Sequence, residues 1–259
     1  MIVMERFSRS SLVKGYDQSK ISKLRVRIVG CGALGTHVAL GVAGFGVELI
    51  ALYDPDKVEE SNLSRQHFEN DDVGKVKSVA LQSILQKRIV ETITRVSAYE
   101  DRITVDNIDD LIRADETDIV LFCVDSINDR LMMNDYLVKA NIPFINGGTS
   151  KGIYGEICTV IPGKTACLRC FMKPDPVREA CAADEKEPSI IGNSMVIASM
   201  MVEEFQKWAL GMATTPPVLK FASGRMMPVN DLDETSEKHP QPFYYIKKLP
   251  APNCVCRKR

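Results

Sequence analysis

The sequence predicts an α/β fold of the doubly wound kind, a largely parallel sheet extended by antiparallel strands, and three observations carry that prediction. An apolar strand, Arg25–Val29, runs into the turn Gly30-Cys-Gly-Ala-Leu-Gly35 and an apolar helix reaching Phe45, after which a second strand, Val47–Tyr53, ends in Asp54. Helical and extended patterns then alternate to about Ile161, the mark of parallel strands joined by crossover helices. Asp118–Val124 is a continuous apolar run behind one acid, the composition of a strand buried on both faces. Together these describe a Rossmann-like core.

Composition narrows the classes. The 259 residues fit one or two domains, and 45% apolar with 26% charged residues describes an ordinary globular chain able to bury a core. A net charge of -1 offers no basic field for nucleic acid or an anionic membrane, and Arg257–Arg259 is a small basic tail. Met1–Arg6 has no signal-peptide core, and the longest apolar run, Val38 to Val47, is broken by glycines. A cytosolic location is expected. There, eight cysteines read as metal ligands or reactive thiols before disulfides.

In chain order, Met4–Leu24 suits one or two short helices, with Arg6 and Arg9 as surface charges. In the turn that follows, Gly30, Gly32 and Gly35 let the backbone approach a phosphate. The opening helix offers it N–H groups, and Asp54 accepts ribose hydroxyls. The turn alone does not separate a nicotinamide cofactor from ATP. Asn62, Arg65 and Gln66 close behind Asp54, with Lys75 after them, favour ATP, because two cations suit a triphosphate. Lys75 precedes a helix, Val76–Arg88, where a cation opposes the dipole unless a phosphate lies nearby. Thr92–Ser97 reads as a strand. Asp125 ends the buried run and suits Mg2+, which takes one or two carboxylates with phosphate oxygens and water, whereas Asp56 reads as a loop acid.

Helix Ile127–Ala140 leads to a strand at Phe144–Asn146, a turn or close backbone approach at Gly147-Gly148, and a strand at Ile153–Ile161. Cys167-Leu-Arg-Cys170 can be a zinc half-site, a redox pair or two small buried side chains. With Cys254-Val-Cys256, four thiolates can close a structural Zn2+ site. Between the pairs, Met172–Ser189 reads as a long crossover loop whose Cys181 is a candidate nucleophile or an inert thiol. Ile191–Leu210, stopped by Gly211, reads as a core helix that absorbs Met195, Met200, Met201 and Trp208. Pro216–Ala222 and Phe243–Ile246 read as late antiparallel strands. Cys31, Cys123 and Cys158 read as packed side chains, and His37, His67 and His239 show no ligand spacing.

Gly30-x-Gly-x-x-Gly35, Asp54-x-Asp56, Ser61-Asn-Leu-x-Arg-Gln66, Gly74-Lys75 and Val124-Asp125 with Arg130 resemble the ThiF/MoeB/HesA family of ubiquitin-activating-like adenylyltransferases, from Arg6 to Cys256. The resemblance implies one adenylation domain over 1–259: N-terminal helices in 1–24, a nucleotide-binding core in 25–150, and a crossover loop, late strands and zinc-binding part in 151–259. It implies a homodimer in which Arg9 reaches the partner's nucleotide, Mg2+ on Asp125, zinc on the two cysteine pairs, and correspondence of Cys181 to the family's loop cysteine. Two departures stand out. Ser126 replaces a frequent asparagine, and the second pair is C-x-C where the family has C-x-x-C.

The expected reaction is attack of a carboxylate on the α-phosphorus of ATP, with pyrophosphate leaving. Gly30–Gly35 and Asp54 hold the nucleotide, Arg65 and Lys75 the leaving phosphates, and Asn62 gives polar support. The resemblance implies as substrate the C-terminal Gly-Gly of a ubiquitin-like sulfur carrier, serving molybdopterin, thiamine or thiolated-tRNA synthesis. No rhodanese-like region precedes Arg259, so a separate sulfur donor is expected. Other readings are adenylation of a different peptide or small-molecule carboxylate, an NAD-dependent dehydrogenase, and a zinc-stabilised binding module without catalysis.

Overall fold

Among the described residues of a computed structural model of the chain, eight strands form one sheet in the order β3-β2-β1-β4-β5-β6-β7-β8. They are β1 (Arg25–Val29), β2 (Leu49–Tyr53), β3 (Arg95–Tyr99), β4 (Ile119–Phe122), β5 (Phe144–Ser150), β6 (Tyr154–Val160), β7 (Val218–Ala222) and β8 (Phe243–Ile246). The structure describes residues 5–150, 154–172, 189–212, 218–222 and 243–246. The first five strands pair in parallel, and β5-β6, β6-β7 and β7-β8 pair antiparallel. That is the largely parallel sheet with antiparallel additions read from the sequence. Its order reverses between β1 and β4, the kind of switch point where doubly wound sheets open a crevice.

The helices are α1 (Gln18–Ile21), α2 (Ala33–Ala43), α3 (Lys77–Gln86), α4 (Ile108–Ile112), α5 (Ile127–Ala140) and α6 (Ile191–Ala209). Strand alternation sorts the core into two layers. Val26 and Ile28 of β1 with Ile50 and Leu52 of β2 meet α2, α3 and α6, whereas Val29, Ala51 and Tyr53 meet α4 and α5. Burying each such aliphatic side chain contributes about 1.5–3 kcal/mol, so the apolar runs that identified the strands also hold the layers.

Missing side chains set how closely α6 lies on the rest. A Cβ on Gly147 would collide with Met201, and one on Gly155 with Ile197. Gly147-Gly148 is therefore not a turn: β5 continues through it, paired with Ile157 and Glu156 of β6, and the close-approach reading is the one realised. Met201 is fully buried as expected, beside Phe205, and Met200 and Trp208 pack partly buried against the core, but Met195 lies about half exposed. β3 begins at Arg95 because the Ile93 and Thr94 N–H groups both donate to the Val90 carbonyl, closing a turn before the ladder starts.

Arg27 is a buried charge within the sheet. Arg27 of β1 donates to the Thr117 hydroxyl and, at 2.5 Å, to the Tyr53 hydroxyl, which donates onward to the Leu111 carbonyl at 2.7 Å. Burial pushes the Tyr53 phenol up to about 12, so it remains a hydroxyl in this chain of bonds. Among the described residues no helix is long and apolar enough to cross a membrane.

Candidate nucleotide site

The crevice is built first by backbone. Gly30 takes φ +91° and donates its N–H to the Tyr53 carbonyl at 2.9 Å, while a Cβ there would lie 2.7 Å from the Cys123 carbonyl oxygen. A Cβ on Gly35 would collide with the Gly30 carbonyl. These two glycines fold the chain sharply between β1 and α2, and Gly32 becomes the N-cap of that helix. The first N–H groups of any helix lack intrahelical partners, and here they open beside the carboxyl ends of β1 and β4.

Asp54 locks the turn from the next strand. One carboxylate oxygen accepts the Cys31 N–H at 2.6 Å and the other accepts the Asp56 N–H at 2.9 Å, with the residue only 7% exposed. Desolvation raises its pKa, opposed by the Cys31 N–H and by the charge of Lys77. Burial also pushes the Cys31 thiol far up, which makes it an inert packing residue. Cys123 and Cys158 are likewise buried, with thiols raised by desolvation.

After Asp54 the chain is held by side chains. Asn62 Oδ1 accepts the Glu59 N–H at 3.1 Å in a capping box, and a second box at Glu69 and Asp72 repeats the device, with the Glu69 N–H donating to Asp72 at 3.1 Å. Arg65 donates to the Ser61 carbonyl at 2.6 Å. The segment then folds back: Val58 donates to the Lys75 carbonyl at 2.8 Å, Gly74 to Val58, and Lys77 to the Asp56 carbonyl at 2.8 Å.

That fold-back separates two lysines the sequence leaves alike. Lys75 pairs with Asp72 at 2.9 Å and its side chain is 53% exposed. Lys77 pairs with Asp56 at 3.0 Å, its side chain is 12% exposed, and its charge is felt by both Asp54 and Cys31. The inward cation beside the glycine turn is thus Lys77, which sequence reasoning missed, and Asp56 is its counter-ion. The one available signal was position: Lys77 is the first residue of α3, where a cation opposes the dipole even more directly than at Lys75.

At the end of β4, Asp125 is exposed and Ser126 caps α5 by accepting the Asp129 N–H at 3.1 Å. Arg130 is buried, donates to the Val124 carbonyl at 2.8 Å, and lies so close over Gly148 that a Cβ there would touch its guanidinium. Arg9 is exposed at the start of a short 3-10 turn, Ser10–Leu12. The structure thus brings Gly30, Gly32, Gly35, Asp54, Asn62, Arg65 and Asp125 to one end of the sheet and places Arg9 in the N-terminal segment.

Cys167 and Cys170 bracket a 3-10 turn, Leu168–Cys170, both buried in the α5 layer near Cys158. Cys254, Cys256 and Cys181 lie outside the described residues. Among the described residues no group of three or more His, Cys, Asp or Glu side chains is placed to hold a metal, so the structure supplies at most half of the zinc site expected from the sequence.

A glycine turn, a strand-end acid and an inward cation at the carboxyl ends of parallel strands mark the crevice of a doubly wound, nucleotide-binding type of fold. The chain belongs to the ThiF family, whose model matches residues 6–248. It is 30% identical over 227 residues to the sulfur carrier protein ThiS adenylyltransferase of Escherichia coli, covering 85% of this chain and 87% of that protein. The Bacillus subtilis protein of the same name is 36% identical over 176 residues, covering 66% of this chain and 52% of that one. A ubiquitin-like modifier-activating enzyme 5 from Dictyostelium discoideum is 28% identical over 220 residues, 78% of this chain and 56% of that one. The chain therefore spans little more than half the length of the last two relatives. A crystal structure of E. coli MccB with ATP matches at a TM-score of 0.73 and 26% identity, over 92% of this chain and 68% of that one.

Proposed function

We propose that this crevice adenylates a carboxylate. The observation that carries the reading is the placement of Lys77 and Arg65 beside a glycine turn that exposes the α2 N-terminus, because an anionic carboxylate approaches a polyanion only where charge is neutralised. A carboxylate oxygen attacks the α-phosphorus of ATP, the new acyl–phosphate bond forms, and the bond to pyrophosphate breaks with its electron pair leaving on pyrophosphate. Asp54 holds the turn and accepts ribose hydroxyls, Arg65, Lys75 and Lys77 balance the leaving phosphates, and Arg130 braces the loop that carries Asp125. Asp125, a single exposed carboxylate at a strand end, fits Mg2+ shared with phosphate oxygens, which would add positive charge there. Arg9 acts across a homodimer on the partner's nucleotide.

The substrate we favour is the C-terminal Gly-Gly of a ubiquitin-like sulfur carrier, supported by similarity to ThiS adenylyltransferases over most of the E. coli protein's length. A second reading, a peptide carboxylate, is favoured by similarity to MccB, which has been solved in complex with N-formylated MccA at 25% identity. Zinc held by Cys167, Cys170, Cys254 and Cys256 would tie the tail to the domain, and metal content with and without a chelator tests that separately. Pyrophosphate exchange into ATP tests the reaction. Exchange dependent on a Gly-Gly carrier supports the first substrate, and exchange only with a peptide supports the second. A protein that binds NADH but not ATP overturns both.

A further inference from the structure

The three glycines of the turn differ in what they are for. Gly30 and Gly35 are fixed by contacts a side chain could not survive, but Gly32 has an ordinary φ of -84°. A Cβ on Gly32 would meet nothing nearer than the side-chain nitrogen of Gln66, at 3.9 Å. Position 32 therefore has steric room for a larger side chain. What that residue would fill is the space between the N-terminus of α2, an 11-residue helix, and the amide of Gln66.

Gln66 is an unusual neighbour for that space. It is only 9% exposed, and its Oε1 is enclosed with no hydrogen-bond partner. Buried amides are normally satisfied, and an unmet carbonyl costs stability. The Nε2 edge of the same amide faces the gap above Gly32. Three features then agree on one chemistry: unpaired helix N–H groups, the positive end of the helix dipole, and an amide donor opposite them all suit an anionic oxygen.

We infer that Gln66 is a direct phosphate ligand, its Nε2 donating to an oxygen of the nucleotide phosphate that rests on the first N–H groups of α2 over Gly32. The inference rests on the nucleotide reading proposed above and deepens it by assigning the group that closes the phosphate cradle opposite the helix. Arg65, one residue earlier, supplies charge, and Gln66 supplies direction. Its neutral amide can meet a phosphate oxygen without adding another cation near Lys77.

Calorimetry of the full chain with Mg-ATP, AMP and adenosine tests this in wild type, Gln66→Met, which keeps length but removes the donors, and Gln66→Glu. Loss of a hydrogen bond to a charged group is expected to weaken ATP and AMP about 10- to 100-fold in Gln66→Met and leave adenosine within about twofold. In Gln66→Glu the loss should be larger at about pH 8 and partly recovered at about pH 5.5, where a carboxyl beside phosphate regains its proton and donates. A purely structural role would weaken adenosine equally and show no such recovery. If wild type binds ATP and the variants that fold bind it within twofold at both pH values, the inference is overturned while the nucleotide reading stands. If wild type binds no nucleotide, the reading itself fails and takes the inference with it.

Discussion

The turn Gly30–Gly35 and the segment Asp56–Lys77 flank the same crevice, yet close backbone contacts fix the first, whereas side-chain caps and ion pairs add to a few backbone bonds in the second. In the turn, Gly30 and Gly35 sit against carbonyl oxygens, and the only titratable side chain, Cys31, is buried. In the segment, two capping boxes, a bridge between Lys57 and Val76, and the Lys77–Asp56 pair fix the path. Backbone contacts leave no room for substitution, whereas capping and ion pairs each contribute about a kilocalorie or less. The turn should therefore fail as a fold and the segment as a function.

The sharpest way to break that contrast is at the glycines. Gly35→Ala is expected to cost more than about 3 kcal/mol in chemical denaturation, since a methyl group must displace backbone, and Gly30→Ala should match it by adding strain at φ +91°. Gly32→Ala, which has steric room but replaces an N-cap glycine, should cost about 1 kcal/mol while weakening ATP binding. Equal losses at all three positions would mean that the turn is generally intolerant and that no space is reserved at Gly32. Next in size come the lysines. Lys77→Met should slow pyrophosphate exchange about 10²- to 10³-fold, as removal of a group facing developing charge does, and Lys75→Met about twofold, as for an exposed pair. A reversal would make Lys75 the principal cation on the leaving phosphates. Smaller again, Asn62→Ala should cost about 1 kcal/mol of stability by opening its capping box. A change in ATP affinity greater than that stability loss explains would give Asn62 a nucleotide contact as well.

The same contrast explains what was legible beforehand. Glycine spacing, apolar strands and the acid at Asp54 are local, so β1, α2, β2 and their crevice follow from sequence order; α5 was read over its full extent, Ile127–Ala140. Lys77 was not legible, because its inward position depends on Val58 and Lys75 pairing across the segment, a contact between residues 17 apart. The continuation of β5 through Gly147-Gly148 was hidden for a related reason. Two adjacent glycines signal a turn by propensity, and only the packing of Met201 and Arg130 over them shows that the strand needs them small.

Groups around the crevice also titrate with opposite signs. His37 on α2 and His67, just past Gln66, meet edge to face with ring centroids 4.3 Å apart. Desolvation lowers both below 6.5, aided at His37 by the charge of His67; at His67, Arg88 lowers it further and Glu69 opposes. The unfolded chain then binds more protons than the native one below 6.5, so the pair's contribution is complete above that value and is lost as pH falls through the lowered values. Asp54 acts the other way. Its folded pKa is raised above 3.8, so its term declines as pH rises from 3.8 to the raised value and is flat beyond it. Thermal midpoints measured from about pH 7.5 down to about pH 5.5 should fall in wild type and fall less in His37→Gln, the smallest effect of the set. A slope unchanged in that variant would remove the imidazole pair as its source. Asp54 could not replace it, because its term has the wrong sign, and the acid-sensitive contact would then have to lie away from both flanks of the crevice.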